Sequence, residues 1–281
     1  MNRHSLRVEC AQQPQLAQRR PIFVVFGGQR SGSTLVASRL NSHPRILCHE
    51  EVLLPSVDSD PSLREWLIAN KHPPWFRVLP SIRESFLDSV ARSDPGPGID
   101  VIGIKIMYDQ ISLWPKLSYL LPAVGRVCDD PRLLRWMKNK HVLIVHTLRR
   151  NHLKMLTSHA LAARTGRFHS RSAPQTAAPS MISLPLRGLI MRLQRIESAE
   201  KVARDAIRGL PTIEVWYEDY VGTHCREIEA QLCAAVGQQI PEGGLVSQLA
   251  KVSSDNLRDI LANYEDVVRR LSGTRFERFL D

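Results

Sequence analysis

The sequence predicts an α/β fold, a three-layer α/β/α domain built on a central parallel sheet. Three observations carry that expectation. The apolar runs at 22–26 and 140–148 are short and nearly continuous, as in strands buried on both faces rather than strands with one wet face. Stretches of helical spacing separate them, and strands alternating with helices pack as parallel strands joined by crossovers. No segment repeats, and 281 residues suffice for one large, well-buried core.

In chain order, residues 1–20 are polar and basic and read as a flexible leader, without the apolar stretch of a secretory signal. PIFVVFGG then opens a single domain spanning 21–281 as a buried strand running into glycines, and a helix follows over 33–40. PRILCHEEVLL (44–54) begins as a second short strand and ends in a loop. Helical pieces are expected at 63–70 and 82–92, closed by the breaker SDPGPG at 93–98. Strands are expected within 99–111 and 140–148, with a helix over 149–166 ending at Gly166. Residues 167–185, rich in Ser, Ala and Pro and without periodicity, read as a mobile substrate loop. An arginine-rich helix (186–208), a last strand with its exit loop (212–220), two helices (223–237 and 255–271) and a tail complete the chain.

The formal net charge of +10 and isoelectric point near 9.7 imply affinity for polyanions, phosphorylated cofactors or anionic surfaces. Nucleic acid is disfavoured, because aromatic residues make up only 6% and no zinc-finger, helix-turn-helix or RNA-binding signature is present. The five cysteines are dispersed with no CxxC pair, which suits a reducing, cytoplasmic setting and predicts no metal site. No stretch approaches the roughly 20 apolar residues of a membrane span. Oligomeric state leaves no signature.

The stretch FGGQRSGST (26–34) has the order strand, glycines, Arg30, then Ser33 and Thr34 opening a helix. Gly27, Gly28 and Gly32 permit a tight turn with exposed N–H groups, the helix start carries about half a positive charge, and Arg30 adds a full one. A nucleotide-triphosphate loop would place lysine where Ser33 stands. The cradle therefore suits an oxyanion other than the β/γ-phosphates of ATP or GTP.

GGQRSGSTLVASRLNSHPRI resembles the 5′-phosphosulfate loop of the sulfotransferases that use 3′-phosphoadenosine 5′-phosphosulfate (PAPS), in their bacterial carbohydrate branch, which includes Nod-factor and trehalose sulfotransferases. The resemblance implies a P-loop-like nucleotide fold and a cradle of Gly28, Arg30, Ser31, Gly32, Ser33 and Thr34 around the 5′-phosphate and sulfonate. It also implies a second clamp, for the 3′-phosphate, made by an Arg at a strand end and a Ser eight residues on. VLIVHTLRRNHLKMLTSH supplies Arg150 and Ser158 at that spacing, which brings two helix positions to nearly one face. Arg149 and Thr157 share the spacing, so the register stays open by one residue.

The same likeness places a base for the acceptor hydroxyl in CHEEVLL, with Glu51 first, Glu50 next and His49 third. GIKIMYDQ resembles a family stretch and makes Lys105 a partner for the sulfonate or the acceptor, with Tyr108, Asp109 and Gln110 lining the acceptor pocket. EVWYEDY implies Tyr217 near the adenine, with Glu218 and Asp219 holding loops. LSGTRFERFL implies Thr274 and Arg275 near the 3′-phosphate. The expected activity is metal-free sulfonate transfer from PAPS, releasing 3′-phosphoadenosine 5′-phosphate (PAP), to a hydroxyl of a small-molecule, glycan, glycolipid or secondary-metabolite acceptor. The rivals are a small-molecule or nucleotide kinase with a degenerate phosphate loop and a basic adaptor without catalysis. Residues 55–98 and 167–208 carry no resemblance.

Overall fold

The computed structural model describes residues 20–53, 61–73, 79–111, 128, 130–166, 181–247, 249, 254 and 256–280. The expected leader (1–20) lies outside these residues save for Arg20, as does most of the expected substrate loop (167–180 of 167–185). Five strands form one sheet: β1 (Ile22–Gly27), β2 (Ile46–His49), β3 (Val101–Met107), β4 (Leu143–Leu148) and β5 (Thr212–Trp216). Their spatial order is β2-β3-β1-β4-β5 and every pairing is parallel.

The helices pack on both faces of this sheet, giving the three layers expected. On one face Phe23, Val25 and Val145 meet α1 (Ser33–Leu40) through Val36 and Leu40, and α8 (Cys225–Ala235) through Leu232. On the other, Val24, Phe26, Ile104 and Ile144 meet α2 (Leu63–Ala69), α3 (Pro80–Arg92), α4 (Pro131–Asn139) and the end of α6 (Leu189–Ala206). Alternate residues of β1 thus serve opposite faces, and both faces are buried, which is why its sequence is apolar throughout. A third apolar cluster joins α5 (His152–Thr165) and α6 to α9 (Tyr264–Leu271) and to Phe276 and Phe279 of the tail.

The helix α4 has no counterpart in the sequence reading. Asp130 caps it, accepting from the backbone N–H of Arg132 and Leu133 at 3.0 and 3.3 Å, and Pro131 occupies the first turn. The helix expected over 255–271 is broken. A short 3₁₀ turn at Leu257–Asp259 precedes α9, and between them Asn263 exchanges two hydrogen bonds with the backbone of Leu184. The last strand ends at Trp216, and its exit, expected as a loop, is a one-turn helix, α7 (Tyr217–Tyr220).

Strand order fixes where a ligand can sit. The chain leaves β1 toward the β2 edge and leaves β4 toward the β5 edge, so connections diverge between these two neighbouring strands. Crevices of this kind open beyond the carboxyl ends of the strands. There Gly27 lies in register with Met107 of β3 and Thr147 of β4, so the loops after β1, β3 and β4 start side by side. Among the described residues, no helix is long and apolar enough to cross a membrane.

Candidate active site

The loop between β1 and α1 is held by short-range strain and long-range anchors. Arg30 adopts a left-handed backbone (φ 65°), which an L side chain enters at a cost of about 1–2 kcal/mol, and Gly32 caps α1 at φ 97°. Glycine is required at 32 for a second reason: a Cβ there would lie 2.7 Å from Cδ2 of Tyr217. The buried Ser31 hydroxyl pairs with that of Thr147 at 2.9 Å, and Thr147 donates to the Phe26 carbonyl at 3.3 Å. Ser33 is also buried, its hydroxyl 3.6 Å from the Met107 sulfur. These hydroxyls brace the loop from beneath, while the start of α1 offers its amides to the crevice.

Arg30 crosses from this loop to α5. Its Nε donates to Ser158 Oγ at 2.9 Å. The Arg149 guanidinium stacks 4.4 Å from the centre of the Tyr217 ring and donates to the Arg30 carbonyl at 3.4 Å. Burial first, and then the like charge of Arg149, lowers the Arg30 guanidinium from its usual value. Two cations are therefore gathered at a helix start beside an aromatic ring. An anion between them would relieve their repulsion.

The structure places the two neighbouring arginines differently. Arg150 turns outward into a bidentate pair with Asp219, both contacts 2.7 Å, and lies 5.0 Å from the centre of the Trp216 ring. The backbone N–H groups of Arg150 and Asn151 donate to the Glu218 carboxylate at 3.0–3.2 Å, so the start of α5 carries an anion supplied by the chain itself. Ser158 meets Arg30 rather than Arg150, and Thr157 is buried with its hydroxyl on the Leu153 carbonyl at 2.9 Å. Thr274 and Arg275 are engaged elsewhere. Thr274 bonds the Leu271 carbonyl at 2.6 Å, and the exposed Arg275 pairs with Glu197 of α6 at 2.5 Å.

On the other side of β1 the expected acid–base residues come together. Lys105 of β3 is fully buried, and its Nζ lies 2.8 Å from Glu51 Oε1 and 2.7 Å from Thr34 Oγ1. A buried ammonium needs such a partner, because an unpaired charge in a low-dielectric interior is strongly disfavoured. Lys105 thereby joins the loop after β2 to the first turn of α1. Gln110 approaches the second Glu51 oxygen, with Nε2 to Oε2 at 3.5 Å. Glu50 is half-buried beside it; burial first, and then the Glu50 charge, pushes the Cys48 thiol up to about 12.

Tyr108 faces the core rather than a pocket, buried with its hydroxyl 2.6 Å from Nε2 of the buried His146. Sequence reasoning missed His146, although a histidine inside the apolar run VLIVHTL marks a buried polar group. Burial lowers His146 to about 4, so the ring is neutral near pH 7. Among the described residues, no group of three or more His, Cys, Asp or Glu side chains is placed to hold a metal ion.

The chain is similar in fold to a crystal structure of a sulfotransferase from Alicyclobacillus acidocaldarius, at 14% identity and a TM-score of 0.43, covering 93% of this chain and 96% of that one. It is also similar to the sulfotransferase domain of the Synechococcus PCC 7002 olefin synthase, at 16% identity and a TM-score of 0.38, covering 92% of this chain and 86% of that one. No curated protein sequence matches. The family described as Stf0 sulphotransferase matches residues 22–266. That span runs from the first residue of β1 into α9, and the chain belongs to the Stf0 sulphotransferase family.

Proposed function

We propose that the protein transfers a sulfonate group from PAPS to a hydroxyl of a small-molecule, glycan or glycolipid acceptor, with Glu51 as the base. The observation that carries this reading is the Glu51–Lys105–Thr34 chain, which ties a carboxylate to the helix start of an anion-binding loop at 2.8 and 2.7 Å. Family membership supports the reaction class.

The residues present fit the donor. Arg30 and Arg149, drawn together at one helix start, suit a polyanion, and the Tyr217 ring beside Gly32 suits a nucleobase or ribose edge. We assign Arg149, rather than Arg150, to the donor's charge, because Arg150 is already paired with Asp219. When bound, PAPS supplies the sulfonate that the acceptor oxygen attacks in line.

The rest is the work of this chain's own groups. Glu51, 13% exposed, is reachable from the crevice and accepts the acceptor proton at a carboxylate oxygen. Protonation cancels the charge that Lys105 faces. The ammonium, still on Thr34 Oγ1, then favours negative charge growing at the loop. Arg30 and the amides of α1 contribute in the same sense without having to reorganise.

Thermal-shift titration tests the donor, and turnover of labelled PAPS with candidate alcohols tests the reaction. PAP should raise the melting temperature while ATP with Mg²⁺ does not, and Glu51→Gln should bind PAP but transfer no label. Stabilisation by ATP alone, or normal turnover by Glu51→Gln, would overturn the reading.

A further inference from the structure

Behind Glu51 lies a second group of polar residues that the reaction as described does not use. Arg83 of α3 is 3% exposed and Asp130 is 0% exposed, and their side chains pair at 2.9 Å. Arg83 also donates from NH1 to the Gln110 carbonyl at 2.8 Å. The Gln110 side chain is fixed in turn, because Oε1 accepts from the Met107 backbone N–H at 3.0 Å. Its Nε2 is left facing Glu51 Oε2 at 3.5 Å. These contacts run without a break from the cap of α4 to the Glu51 carboxylate.

A buried ion pair is a weak source of stability, since well-packed apolar residues of the same volume often do as well or better. Its presence here calls for a positional explanation, and the geometry gives one. Tyr108–Ile111 forms a single 3₁₀ turn just past β3, too short to hold its own shape. Arg83 grips that turn by its Gln110 carbonyl, and Asp130 grips Arg83 while capping α4. The two Glu51 oxygens then face two donors of different kinds, the Lys105 ammonium and the Gln110 amide. Such a carboxylate is held in one orientation before an acceptor arrives.

We infer that Arg83, Asp130 and Gln110 are positioning residues for the reaction, setting the Gln110 amide so that it orients Glu51. The inference rests on the reading of Glu51 as base.

The test uses Gln110→Leu and the double variant Arg83→Met/Asp130→Asn. The double variant leaves no buried charge unpaired, and asparagine caps a helix as well as aspartate does, so it keeps the fold. Both variants should bind PAP within about twofold of the parent and keep the acceptor KM, while kcat falls roughly 10- to 100-fold. A purely structural role would lower the melting temperature and leave kcat per folded molecule unchanged, which would overturn the inference. A second arm does not depend on turnover. The Gln110 side-chain amide resonance in ¹⁵N spectra should move in Glu51→Gln and again in Arg83→Met/Asp130→Asn. A resonance indifferent to both substitutions would also overturn it. Should Glu51→Gln turn over normally while that resonance moves, the base assignment fails and the positioning of Gln110 against Glu51 stands.

Discussion

Arg30 and Ser158, 128 residues apart in sequence, share a 2.9 Å hydrogen bond that ties the loop after β1 to the second turn of α5. The bond helps aim the guanidinium of a residue whose own backbone is left-handed. Ser158→Ala should therefore weaken PAP binding about tenfold, the scale of one hydrogen bond to a charged group. Arg30→Ala should weaken it further, because charge and aim are both lost. Isothermal titration calorimetry measures both, and equal affinity in Ser158→Ala and the parent would remove Ser158 from the site.

The neighbouring arginines should behave differently. Arg150 and Asp219 form an exposed pair, a class worth about 0–1 kcal/mol of stability, so Arg150→Ala should change melting temperature and PAP affinity little. Arg149→Ala, which empties the face of Tyr217, should weaken PAP binding by at least tenfold. A larger loss in Arg150→Ala than in Arg149→Ala, read in the same titrations, would reverse the assignment.

Breaking the Lys105–Glu51 pair from one side leaves a buried charge uncompensated. Glu51→Gln should lower unfolding free energy by about 3 kcal/mol, since the ammonium of Lys105 is fully buried. The double variant Glu51→Gln/Lys105→Met should recover most of that stability and remain inactive. Urea titrations separate the two effects, and a double variant no more stable than the single one would contradict the pairing.

His146 predicts a pH dependence with a definite sign. Its folded value, about 4, lies below the ordinary imidazole value of 6.5, so the unfolded chain binds the proton more readily. The stability it confers is whole above pH 6.5 and is lost as pH falls toward 4, by about 3 kcal/mol at the limit. His146→Gln, which retains a partner for the Tyr108 hydroxyl, should flatten the curve over that window. Parallel slopes for the two proteins in urea unfolding between pH 7.5 and 4.5 would assign the acid sensitivity elsewhere.

The sheet and the first loop were legible because their signals are local. A run apolar on both faces specifies a buried strand within six residues, and Gly32 announces the left-handed turn that caps α1. The Arg149–Arg150 register was not legible. Helical spacing accommodates either choice, and what sets the two arginines apart is the pairing of Arg150 with Asp219, 69 residues further on. The break before α9 likewise depends on Asn263 meeting Leu184, 79 residues away. In α4 the cap signal was present in DDPRLL, but nine residues give too short a period to stand out, and Leu133, Trp136 and Met137 show their purpose only against the sheet. The Arg83–Gln110 contact had no sequence sign beyond an arginine among the apolar positions of a helix.

The central place of β1 divides labour across the sheet. On the β3 and β2 side stand Glu51, Lys105 and Gln110, and on the β4 and β5 side stand Arg149, Ser158 and Tyr217. The loop after β1 and the first turn of α1 touch both halves, through Thr34 toward the first and Arg30 toward the second. On the proposed reading, one flank does the proton chemistry and the other holds the donor. A lineage could then exchange what it modifies by rebuilding one flank, while the machinery that holds the donor is inherited intact.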